Sequence, residues 1–590
     1  MKISGKLLLG NEAVAQGAYE AGVSVVSSYP GTPSTEVTEN VAKYSAEEIY
    51  CEWAPNEKVA AEVAIGASVA GSRAMCCMKH VGLNVAADPL FTAAYTGVNG
   101  GLVFLVADDP GMFSSQNEQD TRFYGLSSHV PVLEPSDSQE CLDYTKLAFD
   151  ISEAFDTPVI VRLTTRIAHQ RSLVNIGERV NHAKKYEKNI SKYVMMPAMA
   201  KGRHVFVEKR MAALEAAACG EGEFAGLVPN RIEMKDKKLG IVTSGVCYQY
   251  VREVFPEASV LKLGLVHPLP EKVIREFAEQ VEELLVVEEL EPFIETYIKK
   301  LGIKVEGKKY FTNLGELGTA AIRKAYYGIA PDGEKAGEEV NVPARPPVFC
   351  AGCPHRAVFY VLSNLKVRVC GDIGCYSLGA LDPYHALDSV VCMGASVSMA
   401  HGMQKAMEIN GDLTQDKVVA VIGDSTFMHS GITSLVDVAY NKGVSTVIIL
   451  DNSITGMTGH QQNPCMGYTI RNEKTVAVDL IKLCDAMGIT RVKVVDPFDM
   501  KKFRATVLEE TQADEPSVII AQRPCALLKT VNYGAPVKID EGKCVKCGSC
   551  MRLGCPAIIK SADGKYQIDA SQCAGCELCV SMCPKGAISK

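Results

Sequence analysis

"VVAVIGDSTFMHSGITSLVDVAYNKGVSTVIILDN", residues 418–452, reads as strand, loop, helix, strand: one βαβ unit of a parallel sheet. Asp424 closes the first strand and Asn452 the second. Ligands of such sheets gather at the carboxyl ends of the strands. The two side chains, 28 positions apart, are therefore expected near each other. A carboxylate oxygen beside an amide oxygen suits a hard cation such as Mg2+, which keeps few protein ligands and bridges to phosphate oxygens. The bland alternative is a solvated Asp and a turn Asn.

The same pattern recurs on both sides of this unit. "VSVVSSYPGTP" (23–33), "GSRAMCCMKH" (71–80), "GLVFLVADDPG" (101–111) and "TPVIVRLTTR" (157–166) each read as a buried strand entering a loop. They define an α/β region over 1–175. Residues 176–236 are weaker in pattern, with the basic stretch "HAKKYEKNISKY", and read as a connecting segment. A second α/β unit begins at "KKLGIVTSG" and runs through "EELLVVEEL" over 237–330. "PDGEKAGEEVNVPARPP" (331–347) has the Pro, Gly and charge of a linker. A third α/β unit fills 348–535, and a cysteine-rich tail fills 536–590.

Composition bounds the rest. The 590 residues predict roughly three to five domains. They are 47% apolar and 22% charged, with net charge −8, which gives no reason to expect nucleic acid or anionic membrane as partner. No apolar run approaches a membrane span, and the start reads as lacking a signal peptide. A cytoplasmic location is expected. In a reducing compartment the 22 cysteines point to metal or catalysis rather than to disulfides. "NIS" at Asn189 then carries no meaning as a glycosylation acceptor.

Eight cysteines lie beyond residue 543. "CAGCELCVSMCP" (573–584) fits C-x2-C-x2-C-x3-C-P, whereas "CVKCGSCMRLGCP" (544–556) has one extra residue before its last cysteine. Both resemble the runs of bacterial two-[4Fe–4S] ferredoxins, in which the fourth cysteine of each run ligates the other cluster. The resemblance implies Cys544, Cys547, Cys550 and Cys583 on one cluster, and Cys573, Cys576, Cys579 and Cys555 on the other. The extra residue is then tolerable, because Cys555 reaches across to the second cluster. A pair of zinc sites is the alternative.

"GDSTF" at 423–427, followed by Asn452, resembles the thiamine diphosphate motif, Gly-Asp-Gly with a downstream Asn. Ser425 stands where the motif has its second Gly. The resemblance implies a diphosphate loop at Gly423, Asp424 and Ser425, and Mg2+ held by Asp424, Asn452 and the Ile454 carbonyl. Such enzymes also need a Glu facing the aminopyrimidine ring. "WAPNEKVAAEVAIGASVAG" (53–71) supplies Glu57 at a helix start, with Asn56 as a candidate cap. There the bland reading is a carboxylate complementing the helix dipole, and Glu62 is the alternative candidate. "SSYPGTPSTEV" (27–37) is similar to the loop of 2-oxoacid:ferredoxin oxidoreductases that brings a Thr, here Thr32, near substrate. A helix-entry loop capped by Ser34 or Thr35 reads equally well.

With "LVHPLPEKVIREF", "FCAGCPHR" and "GDIGCYSLG", the whole chain resembles the large subunits of the indolepyruvate type within that family. This implies a pyrimidine-binding domain, a transketolase-C-like middle domain, a diphosphate-binding domain and a ferredoxin-like domain, in that order. It implies oxidation of aryl 2-oxoacids such as indolepyruvate or phenylpyruvate, with coenzyme A as acyl acceptor and ferredoxin as electron acceptor. A smaller beta subunit, in an alpha2beta2 assembly, is also implied. Pyruvate or branched-chain substrates, or a noncatalytic electron-transfer chain, are the alternatives. Cys350, Cys353, Cys375 and Cys525 resemble ligands of a third [4Fe–4S] cluster, with Cys465 as runner-up for the fourth place and a zinc half-site as the other reading. His80, His355 and His460 lie near loops without a pattern that assigns them a role.

Overall fold

The computed structural model describes residues 5–328, 346–365, 367–411 and 417–590. Most of the expected linker, 331–345, lies outside the described residues. The chain divides into two compact units, Met1–Val340 and Asn341–Lys590.

The first unit is built on a seven-stranded sheet ordered Leu265–His267, Val132–Leu133, Val159–Thr164, Leu102–Asp108, Ala74–Lys79, Val25–Ser28, Tyr50–Trp53. Six strands are parallel, and Leu265–His267 is added antiparallel at one edge. Leu102–Asp108 is buried at every position, as expected of a parallel strand covered by helices on both faces. A four-stranded sheet follows, ordered Glu283–Val287, Asp236–Ser244, Ala258–Leu263, Arg231–Glu233. The segment that supplies this second sheet thus also lends the first sheet its edge strand. One apolar core runs through both, from Ala61, Phe104 and Val132 to Leu261, Val286 and Ile294.

The region read as a connecting segment contains the 22-residue helix Pro197–Ala218. Its apolar periodicity is weak because only Val207, Arg210, Leu214, Ala217 and Ala218 are buried. Arg210 anchors it by donating to the carbonyls of Ala94, His129 and Asp156. A charged side chain is the anchor, and a hydrophobic pattern cannot show it.

The second unit holds a five-stranded, wholly parallel sheet: Arg368–Cys370, Val418–Gly423, Thr446–Asp451, Ser517–Gln522, Arg491–Val495. Alternate residues feed opposite faces, as period-2 geometry requires. Val419, Val421, Ile448 and Ile519 enter one core, and Ala420, Ile422, Ile449 and Ile520 the other. The cysteine-rich tail forms two small hairpin-like ladders, Lys538–Ile539 with Ile588–Ser589 and Ile558–Lys560 with Tyr566–Ile568. Its core includes Ala357 from the helix His355–Ser363, so the tail is seated on the larger sheet's own helix. No described helix is long and apolar enough to cross a membrane.

Candidate active site and cluster sites

In the first unit Glu57 begins the helix Glu57–Val69. The Asn56 side chain caps that helix, accepting from the Val59 N–H at 2.9 Å. Glu57 is only 4% exposed, and it lies on Gly82: a Cβ added there would stand 2.6 Å from Oε1. Glu62 is different. Its side chain is 47% exposed and pairs with Lys58 on the surface. Ala60, Ala61 and Ala64, on the face beside Glu57, are fully buried.

Thr32 belongs to a loop at the carboxyl end of Val25–Ser28, and its carbonyl accepts from Ser114 Oγ at 3.1 Å. Ser34 stands at the cap position of the next helix without a side-chain capping bond. Lys79 closes the neighbouring strand, donates to the Ser114 carbonyl at 2.7 Å, and its stem lies against Gly31. Burial pulls the Lys79 ammonium down to about 8, against the charges of Asp109 and Glu57. Burial works against ionisation of Asp109 too, but donors from Ser114, Ser115 and Thr165, with the Lys79 charge, hold it below the usual carboxylate range. The sequence reading missed Lys79 and Asp109. Both are charged residues at strand ends, the position that should have marked them. His80 is buried, with Nε2 3.1 Å from the Asn117 carbonyl and Nδ1 without a partner among the described residues.

In the second unit, Val418–Gly423 and Thr446–Asp451 pair in parallel with Gly423 opposite Leu450. Asp424 and Asn452 therefore leave the sheet at one edge. Asp424 is 2% exposed, and Asn463 Nδ2 donates to it at 3.2 Å. Its carboxyl group is pushed up to about 7, first by burial and then by Asp451. Asn452 Oδ1 accepts from the Ile454 N–H at 3.3 Å across Ser453, whose φ is +57°. Ser425 accepts from Thr455 Oγ1 at 2.9 Å. Gly423 is required small by Tyr376: an added Cβ would stand 2.6 Å from its ring. His355 Nε2 lies 3.5 Å from Asn452 Nδ2, and burial lowers the imidazole to about 4, leaving it neutral. His460 lies on the following loop, its N–H bonded to the Thr455 carbonyl. Asn463 was missed by the sequence reading, since no spacing rule connects "QQNPC" to the strand end.

The tail cysteines surround two spaces. Cys544, Cys547, Cys550 and Cys583 line one, and Cys555, Cys573, Cys576 and Cys579 line the other. None of the eight is in a disulfide. The extra residue before Cys555 is taken up by the 3-10 turn Ser549–Leu553 and by Gly554 at φ +58°. Both loops turn through the left-handed region at matching places, Lys546 and Gly548 in one and Gly575 and Glu577 in the other. Among the described residues no three His, Cys, Asp or Glu side chains converge on a single-ion site. The grouping of Cys583 with the first run and of Cys555 with the second is the crossed arrangement of two-cluster ferredoxins.

Cys350, Cys353, Cys375 and Cys525 also come together. Burial pushes Cys353 up to about 12, and nearby Cys350 and Cys375 push it further. Burial raises Cys375 to about 11, with Cys525 and Cys350 adding to it. The Cys525 N–H donates to the Asn452 carbonyl at 2.9 Å. Cys465 instead faces Asp424 and Asp451.

Three family models match the chain. A thiamine diphosphate-binding domain of pyruvate flavodoxin/ferredoxin oxidoreductases spans residues 16–215. The C-terminal binding domain of thiamine pyrophosphate enzymes spans 372–521. A 4Fe-4S dicluster domain spans 537–589. Among curated relatives, the indolepyruvate oxidoreductase subunit IorA of Archaeoglobus fulgidus is 39% identical, over 98% of this chain and 97% of its own length. Its namesakes from Methanothermobacter thermautotrophicus and Pyrococcus horikoshii are each 38% identical, over 98% and 99% of this chain and 96% of their own lengths. The chain belongs to the indolepyruvate oxidoreductase IorA family, within the thiamine- and iron–sulfur-dependent 2-oxoacid:ferredoxin oxidoreductases.

Proposed function

We propose that the chain carries the catalytic centre and electron exit of an aryl 2-oxoacid:ferredoxin oxidoreductase that makes acyl-coenzyme A. In the reaction, R–CO–COO⁻, coenzyme A and two oxidised ferredoxins give R–CO–S–CoA, CO2, one proton and two reduced ferredoxins. The bond between the carboxylate and the carbonyl carbon breaks. The acyl carbon loses two electrons, and the coenzyme A sulfur takes it with loss of the thiol proton. Thiamine diphosphate, when bound, supplies the ring that stabilises the carbanion.

Each residue's part follows from its surroundings. Residues 1–175 are assigned to the pyrimidine end, 237–330 to the transketolase-C-like middle, 348–535 to the diphosphate end and 536–590 to electron transfer. Asp424, Asn452 and the Ile454 carbonyl would hold Mg2+ on the diphosphate, beside Gly423 and Ser425. Glu57 would share a proton with the aminopyrimidine nitrogen, and its burial keeps water from competing for that proton. The Thr32 loop and the Lys79 ammonium would receive the substrate carboxylate. The three cysteine quartets would hold three [4Fe–4S] clusters.

The observation that carries this reading is the Cys525 N–H bond to the Asn452 carbonyl. It ties the loop at the cation site to a cysteine quartet, so electrons have an exit in the wall of the site. The relatives' names support an aryl substrate, indolepyruvate, and at least one further subunit. The test is a 2-oxoacid panel with coenzyme A and ferredoxin or viologen dye, run with the chain alone and with the smaller subunit. Indolepyruvate and phenylpyruvate should lead. Pyruvate or 2-oxoisovalerate in front would overturn the aryl assignment. Full activity from the chain alone would remove the partner, and a chain that never binds thiamine diphosphate would be an electron-transfer subunit only.

A further inference from the structure

Arg356 is a buried cation without a buried anion. It is 2% exposed. Its N–H groups donate to the carbonyls of Phe349, Cys350 (3.1 Å) and Leu553 (2.8 Å), and to the Tyr384 hydroxyl (3.2 Å). The Phe349 ring centre lies 5.9 Å away. All these partners are neutral, and none of the ion pairs among the described residues includes Arg356. Of the other buried arginines, Arg122 and Arg162 are held by carboxylates, whereas Arg210, which lines no cysteine site, likewise rests on carbonyls alone; what sets Arg356 apart is where it lies. A charge taken out of water is costly unless an opposite charge meets it. Hydrogen bonds to carbonyls satisfy the donors of Arg356 but leave its charge uncompensated.

Its position says what the opposite charge is. Arg356 lies three positions after Cys353, its backbone N–H bonded to the Cys353 carbonyl at 3.3 Å, and its side chain holds the Cys350 carbonyl. It also lines the space ringed by Cys555, Cys573, Cys576 and Cys579. The two cysteine loops touch there. A Cβ on Gly352 would stand 3.2 Å from Ala574 Cβ and 3.0 Å from the Tyr533 ring. The guanidinium thus lies where two thiolate-rich sites adjoin. The third quartet, around Cys544, has no part of Arg356 in its wall.

We propose that Arg356 is the shared counter-charge of two adjoining iron–sulfur centres, the Cys350–Cys353–Cys375–Cys525 set and the Cys555–Cys573–Cys576–Cys579 set, and raises both reduction potentials together. The inference rests on reading the first set as a cluster. A cysteine-ligated cubane is anionic and gains one more negative charge on reduction, so a fixed cation in a medium of low dielectric favours the reduced form. One electron leaves the first centre, whose iron is oxidised, and enters the second, whose iron is reduced. No bond or proton changes hands. A cation shared by both centres moves the two potentials in step and leaves the difference between them unchanged.

The experiment is an EPR-monitored redox titration of the full chain, comparing wild type with R356Q and R356K, with iron counted in each. In R356Q the reduction equilibria of two clusters should shift toward the oxidised form by about tenfold or more. That is ~59 mV for a one-electron couple. The Cys544 cluster should stay put, and R356K should lie near wild type. Unmoved potentials in a fully loaded R356Q overturn the proposal. So does an equal shift of all three clusters, or an R356K shift as large as that of R356Q. Should R356Q fail to take up iron, R356K decides: restored loading supports a charge requirement, and no restoration overturns it. A wild-type count of eight iron would refute the third cluster separately, and the Cys555 cluster would still test Arg356.

Discussion

Glu57 and Glu62 share one helix, and burial separates their roles. Glu57 lies against Gly82 out of solvent, while Glu62 spends its charge on Lys58 at the surface. Glu57→Gln keeps the volume and removes the exchangeable proton. Thiamine diphosphate content should stay normal while 2-oxoacid oxidation falls by about 10²–10⁴, the usual worth of a positioned acid–base group. Undiminished turnover would take Glu57 out of the chemistry. Much of this was legible in the sequence: a Glu at a helix start, an Asn cap, and a run of alanines. Gly82 was not, because close packing between two helices leaves no local pattern. Lys79 also went unread, since one lysine at the end of a strand resembles any solvated residue. Its ammonium is charged below about 8 and neutral above it. KM for the 2-oxoacid should therefore rise as pH climbs through about 8, with kcat less affected. Lys79→Met should show the high KM at every pH. A KM profile in the variant that still rises near pH 8 would assign the effect to another group.

At the level of elements, the parallel strands were the easiest features to read. Leu102–Asp108, Val418–Gly423 and Thr446–Asp451 are buried along their whole lengths, so they appear as unbroken apolar runs. The edge strand Leu265–His267 was not legible as part of the first sheet. It is three residues long, and its partner, Val132–Leu133, is over a hundred positions away. The charges that join these elements were equally hidden. Arg122 donates to Asp120 at 2.9 Å and to Glu288 at 2.6 Å, and Arg162 bonds Asp108 at 2.6 Å and Glu134 at 2.5 Å. All six side chains are buried. Arg122→Met should therefore destabilise the first unit by about 3–5 kcal/mol, because Asp120 and Glu288 would stay buried without their cation. Denaturant unfolding measures this directly. A loss below about 1 kcal/mol would mean that water reaches the site and that the network does not hold the sheets together.

For the whole molecule, the question is how many clusters the chain holds. The two tail runs were readable because their cysteines are close in sequence and follow a spacing rule. The quartet of Cys350, Cys353, Cys375 and Cys525 spans 175 positions, and only its first pair follows such a rule. What assembles it is the sheet: Cys525 lies just past Ser517–Gln522, next to the strand Thr446–Asp451 that leads into Asn452. Contact between Gly352 and Ala574 then brings this quartet up against the tail. An electron path with only the tail clusters would begin one loop away from the proposed cation site at Asp424 and Asn452. A path with three begins at its wall. Each cubane holds four iron, so three clusters predict about twelve iron per chain. Cys353→Ser should lower the count to about eight, leave the two tail EPR signals in place, and stop reduction of ferredoxin by 2-oxoacid while dithionite still reduces the tail. That combination follows from a break at the first step of the path with the later steps intact. Eight iron in wild type, unchanged in Cys353→Ser, would mean that the quartet holds no cluster and that electrons reach the tail by another route.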